Sequence, residues 1–134
     1  MNVELTEKEY RRLLDMVYIG NWVLNSMRGD DRIDDYDEVE GRIFSYCFSH
    51  APALVELDDD APVPSDAFID GGIHEAIAAY EDTVFFEILA EELARKDMEI
   101  QEIGPDNVDE LACRIDEYIE EFEENGMNNV SLNI

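Results

Sequence analysis

Thirty-five Asp and Glu against nine Lys and Arg leave this 134-residue chain with a formal charge of −26. Repulsion on that scale expands a polypeptide unless apolar burial offsets it. This chain has the means, since 46% of its residues are hydrophobic and they include six Phe, six Tyr and one Trp. The charge and the apolar content together predict a small folded domain spanning residues 1–134, a usual size for one domain. The same charge excludes ordinary nucleic-acid binding, in which Lys and Arg release counterions from phosphate.

The charge is unevenly placed. Residues 1–29 hold four acids (Glu4, Glu7, Glu9, Asp15) and four bases (Lys8, Arg11, Arg12, Arg28), and are neutral. The whole net charge of −26 lies beyond them. Such a field draws cations or a basic partner.

Apolar spacing reads as an all-α fold of about five helices. Thr6 and Glu9 have the spacing of a capping box. Tyr10, Leu13, Leu14, Val17, Tyr18 and Leu24 then recur at helical intervals, giving a first helix over about 7–27 that ends near Gly29. A second, about 36–50, carries Val39, Ile43, Tyr46, Cys47 and His50 on one face and stops before Pro52. Residues 52–69 hold all but one of the four prolines and the triplet Asp58-Asp59-Asp60, and read as an irregular connection. Two helices follow, about 70–79 and 82–97, separated at the capping residues Asp82 and Thr83. The fifth covers about 107–125, after the turn Gly104-Pro105-Asp106, and Gly126 ends it. Leu14, Val17, Ile43, Ile88, Leu111, Ile115 and Ile119 are the predicted core. Val3 and Leu5 alternate like Val130, Leu132 and Ile134, which is the pattern of a short two-stranded ribbon pairing the termini.

Addresses and cofactor motifs are few. No apolar run is long enough for a membrane span, and the N-terminus lacks the basic and apolar regions of a secretory signal. Cys47 and Cys113 fall in helical patterns and read as buried free thiols, which suits a cytoplasmic location. The Gly-rich phosphate loop, the nucleophile elbow, the two-histidine zinc helix and the EF-hand are all missing, so no catalytic residues and no cofactor are expected. Cys47, His50, His74 and Cys113 are the one set of zinc-type donors, with a spacing that matches no known zinc module.

The segments 5–15, 20–26 and 80–97 resemble small uncharacterised bacterial proteins. That resemblance implies a bacterial cytosolic protein and brings no known activity or catalytic residues with it.

Function then rests on the acids. Asp116, Glu117, Glu120, Glu121, Glu123 and Glu124 cover the outer face of the last helix, and Asp30, Asp31, Asp34, Asp35, Asp37 and Glu38 cluster at the start of the second. Three readings compete. They form a solvated face, they imitate the phosphates of DNA towards a basic protein, or they gather hard cations. The expectation is a non-catalytic interaction protein that uses Asp116, Glu117, Glu120, Glu121, Glu124, Asp34, Asp35 and Glu38 towards a basic macromolecular partner. A small divalent-metal-binding protein or metal-dependent hydrolase is the alternative.

Overall fold

A computed structural model describes all 134 residues. The elements run α1 (Glu7–Asn25), α2 (Asp34–Ser45), α3 (Cys47–His50), β1 (Val55–Asp58), β2 (Ala61–Pro64), α4 (Asp66–Phe68), α5 (His74–Asp97) and α6 (Val108–Asn125). The protein is mostly helical with one short antiparallel ribbon. No helix is long and apolar enough to cross a membrane. The chain divides into two compact units, Met1–Ile77 and Ala78–Ile134, and the division falls inside α5.

In the first unit, α1 begins with the capping box the sequence predicts. The Glu9 N–H donates to Thr6 Oγ1 at 3.2 Å, and the Thr6 N–H donates to Glu9 Oε2 at 2.8 Å. Two otherwise unpaired backbone donors are thereby satisfied. Leu14 and Tyr18 point from α1 into a core completed by Phe44, Cys47, Val55, Phe68, Ile73 and Ile77. Phe44 and Phe68 meet edge to face at 4.9 Å, and the Arg11 guanidinium lies 5.1 Å from the centre of the Phe68 ring.

The ribbon is not where the alternation at the termini placed it. Residues 1–6 and 130–134 form no strand, and Val3, Leu5, Leu132 and Ile134 are exposed. With these side chains exposed, neither end has the packed face that holds a short strand in place. The ribbon lies instead in the connection over 52–69, with Val55 opposite Pro64, Glu56 opposite Val63, Leu57 opposite Pro62 and Asp58 opposite Ala61. Asp59 and Asp60 turn it with φ of +47° and +65°. Positive φ at both central residues is what a type I′ two-residue hairpin turn demands, and Asp tolerates it better than most residues.

Prolines normally argue against a strand because they lack the N–H of the ladder. Here Pro62 and Pro64 alternate, so both missing donors fall on the edge of β2 that faces away from β1. That edge lies against α2. A Cβ built on Gly41 would stand 2.9 Å from the Pro62 carbonyl oxygen, so only glycine lets the helix approach this closely. The contact sets the roll of α2. Gly41 and Phe44 face inward, whereas Val39 and Tyr46, predicted inward, are exposed.

In the second unit, α5 and α6 meet through Phe86 and Phe122, whose rings lie 5.3 Å apart, and through the Tyr118 hydroxyl, which donates to Asp97. Ala90, Ala94, Leu111 and Phe122 are buried. Gly126 ends α6 with φ +56° while its N–H bonds the Phe122 carbonyl. The predicted break near residues 80–83 does not occur. Thr83 Oγ1 bonds back to the Ala79 carbonyl at 3.0 Å, so the hydroxyl is used within a continuous helix rather than as a cap. Ile88, predicted as core, is 57% exposed, whereas Leu14 and Leu111 are buried as expected. Val17, Ile43, Ile115 and Ile119 are half-buried.

Candidate functional site

The acidic face of α6 is built by simple amphipathicity. Leu111 and Phe122 turn inward with Ile115, Tyr118 and Ile119 beside them, which leaves Asp116, Glu117, Glu120, Glu123 and Glu124 exposed. Arg114 reaches Glu117 at 3.2 Å and is the one base bonded to this face. Glu121 behaves differently. It is half-buried, and its Oε1 accepts from Asn125 Nδ2 at 3.1 Å and from Asn129 Nδ2 at 2.6 Å. This predicted partner-binding residue therefore ties the chain beyond α6 to the helix.

Position along the helix gives these acids their meaning. The C-terminal end of a helix carries partial negative charge, so carboxylates there are unfavourable and bases are favoured. The last turn of α6 contains no base, and Glu123 and Glu124 stand in it. The fold gains nothing from them.

The acids of α2 have the opposite standing. Asp34, Asp35 and Asp37 occupy its first turn, where the helix dipole favours them. Asp37 is further held by Arg32, whose Nε and Nη2 both bond it at 2.6 Å, and by Asn21 Nδ2 at 2.9 Å. Those bonds, the Arg32 pair first, keep its carboxyl below the usual range. Asp31 pairs with Arg28 at 2.9 Å. Asp34, Asp35, Glu38 and Asp30 remain exposed without a salt bridge. Much of this cluster is thus explained by helix initiation and by two ion pairs.

The four zinc-type donors are not brought together as a set. Cys47 is buried against the Tyr10 hydroxyl at 3.3 Å, and Tyr10 also donates to the Ile43 carbonyl. His50 is exposed at the end of α3. His74 Nε2 is bonded to the Tyr18 hydroxyl at 2.6 Å. Cys113, predicted buried, is exposed on α6, because its position falls outside the inward stripe of Leu111 and Ile115. Nowhere do three or more His, Cys, Asp or Glu side chains gather in a metal-binding arrangement.

A polar network in the first unit escaped the sequence reading. Asn21 and Asn25 are buried on α1 and joined by a hydrogen bond of 2.8 Å between their side-chain amides, Asn25 Nδ2 donating to Asn21 Oδ1. Asn21 in turn donates to Asp37 on α2. Glu40 lies in the same seam, and burial pushes its carboxyl up to about 7, with the Asp37 charge adding to the rise and Asn21 and Arg32 opposing it. The Tyr18 phenol is also raised, by burial and then by the charge of Glu40. Trp22 and Tyr18 pack edge-on against the His74 ring at 5.9 and 5.6 Å. The sequence signal was available: Asn21 and Asn25 fall on the same face as Leu14 and Tyr18, where a purely apolar stripe is the rule. The network joins α1 to α2 without a nucleophile and base poised over an open cleft.

Compared with known proteins, the chain matches no protein-family profile, no curated protein and no solved structure.

Proposed function

We propose that this protein is a non-catalytic binding protein whose acidic surface, centred on the outer face of α6, engages a basic macromolecular partner. One observation carries the reading. Glu123 and Glu124 crowd the C-terminal turn of α6 with no base there, in the place where carboxylates weaken a helix. Side chains that the fold does not need, and that it is slightly weakened by, are the ones to assign to a partner. Carboxylates on successive turns stand about 5–6 Å apart, so the face offers a row of negative charge of the kind a DNA-binding protein recognises in a phosphate backbone. The contribution of Asp34, Asp35 and Glu38 is secondary, because the start of α2 already accounts for acids there.

The test uses a basic DNA-binding protein as the probe. Binding should weaken steeply with salt and compete with DNA. The substitutions Glu120→Gln, Glu123→Gln and Glu124→Gln together should weaken it, with Glu121 left in place because it holds Asn125 and Asn129. A charge-matched control carries Glu4→Gln, Glu56→Gln and Asp70→Asn, all exposed and far from α6 in sequence. If the two triple variants lose affinity equally, the effect is one of net charge and the α6 face is not the site.

A further inference from the structure

We infer that α5 carries a joint at residues 78–83, where the helix opens and recloses while the helical stretches on either side stay folded. Packing is missing there on every side. Ala78, Ala79, Tyr80, Glu81, Asp82 and Thr83 are all exposed, and a full turn of helix takes only about 3.6 residues. No face of this stretch is covered. The flanks differ. Ile77 is buried in the core of the first unit. Beyond the joint, Phe86 meets Phe122, and Ala90 and Ala94 are buried. Most helical stability in a folded protein comes from packing one face, so the middle of α5 is held by its own backbone bonds alone.

The side chains give those bonds little help. Asp82 and Thr83 are weaker helix formers than alanine. The Thr83 hydroxyl bonds back to the Ala79 carbonyl, an arrangement that slightly destabilises and bends a helix. No Lys or Arg stands between His74 and Arg95, and Glu75, Glu81, Asp82 and Glu87 form no salt bridge. The pairs that support an exposed helix are therefore missing. The same residues suit the open state. Asp and Thr are good caps, so Asp82 or Thr83 satisfies a backbone N–H of the second stretch once the helix parts. The break that the sequence predicts at these two residues is thus the minor state of a helix that is continuous in the native fold. α6 packs on the second stretch, through Phe122 on Phe86 and Tyr118 on Asp97. Opening lets its acidic face turn towards a partner without unfolding either unit. That consequence rests on the binding role proposed for α6, whereas the opening itself does not.

Residue-resolved amide hydrogen exchange of the full chain, with no partner present, measures the opening apart from any binding by α6. The amides of residues 81–85 bond the carbonyls of residues 77–81 in the closed helix. Corrected for intrinsic rates, they should exchange at least about 100-fold faster than the amides of residues 89–93 and 18–22. Equal protection at 81–85 and 89–93 overturns the inference, because α5 then opens only together with its packed half. Asp82→Ala with Thr83→Ala alters two exposed side chains. It raises helix propensity and removes the caps of the open state, so exchange at 81–85 should slow by about tenfold or more, with residues 89–93 unchanged. A double variant that exchanges at 81–85 as fast as the parent overturns the inference as well, since Asp82 and Thr83 then do not set the opening.

Discussion

Asn25 holds both backbone polar groups of Ile33. Its Oδ1 accepts the Ile33 N–H at 2.9 Å, and its Nδ2 donates to the Ile33 carbonyl at 3.0 Å. The amide thus does for Ile33 what a neighbouring strand would, and it fixes the acidic loop between α1 and α2 to the side of α1. The side chain is 1% exposed, so water cannot replace either bond.

Asn25→Ala should therefore be among the most damaging substitutions in the first unit. It leaves the Ile33 N–H and one acceptor of Asn21 without partners, and the Ile33 carbonyl with the Tyr36 N–H alone, at a cost of about 2–4 kcal/mol. Urea unfolding measures this. Ser26→Ala, one residue on and exposed, should change the midpoint little.

Glu40 should make stability depend on pH around neutrality. Its folded pKa of about 7 lies above the ordinary 4.5. Its contribution is therefore fully present below about 4.5 and is lost as pH rises through about 7. Glu40→Gln removes the buried charge, so it should be more stable than the parent above pH 7, by about 1 kcal/mol once partial exposure is discounted. The advantage should fade as pH falls towards 5. Asp37 acts in the other direction, since its lowered pKa gives stability that is lost only at acid pH below the usual carboxylate range. Thermal melts of parent and variant at several pH values separate the two. A constant difference across that range would show that Glu40 is not the titrating group.

Gly41→Ala should destabilise, although alanine is the better helix former by about 1 kcal/mol. The new methyl would stand 2.9 Å from the Pro62 carbonyl oxygen. Both sides of that contact are backbone, so relief requires α2 and β2 to move apart, an overpacking cost of about 1–3 kcal/mol. Gly20→Ala has no such neighbour and should stabilise the fold by about the helix-propensity gain. The pair of melting temperatures, one lowered and one raised, is the check.

The end of α6 should respond to salt. Replacing Glu123 and Glu124 with Gln removes two carboxylates from the negative end of the helix, each worth about 0.3–1 kcal/mol at low ionic strength. The double variant should melt above the parent in low salt, and the gap should close as salt screens the charges. A double variant that melts below the parent would mean that these acids have structural partners.

Local signals in the sequence were sufficient for α1 and α6, though not for the continuity of α5. Thr6 and Glu9 mark the start of α1, Pro52 the end of α3 and Gly126 the end of α6, because each acts on backbone groups within a turn of itself. The same holds for the acidic face of α6, which follows from the period of Leu111, Ile115 and Phe122. Leu14 and Leu111 were legible as core because they sit mid-stripe. Ile88 was not. It belongs to a helix with apolar residues around much of its circumference, and periodicity cannot choose among several apolar faces.

Tertiary structure decided what depends on elements distant in sequence. The place of Pro62 and Pro64 in a ribbon depends on which edge of β2 meets β1, and that edge is set by the register. The inward roll of α2 depends on Gly41 meeting the Pro62 carbonyl. The burial of Asn21 and Asn25, with Asp37 and Glu40 half-buried beside them, depends on α1 and α2 supplying each other's hydrogen bonds. A polar residue is costly inside a protein until its partner arrives, and in this chain the partners come from across the fold.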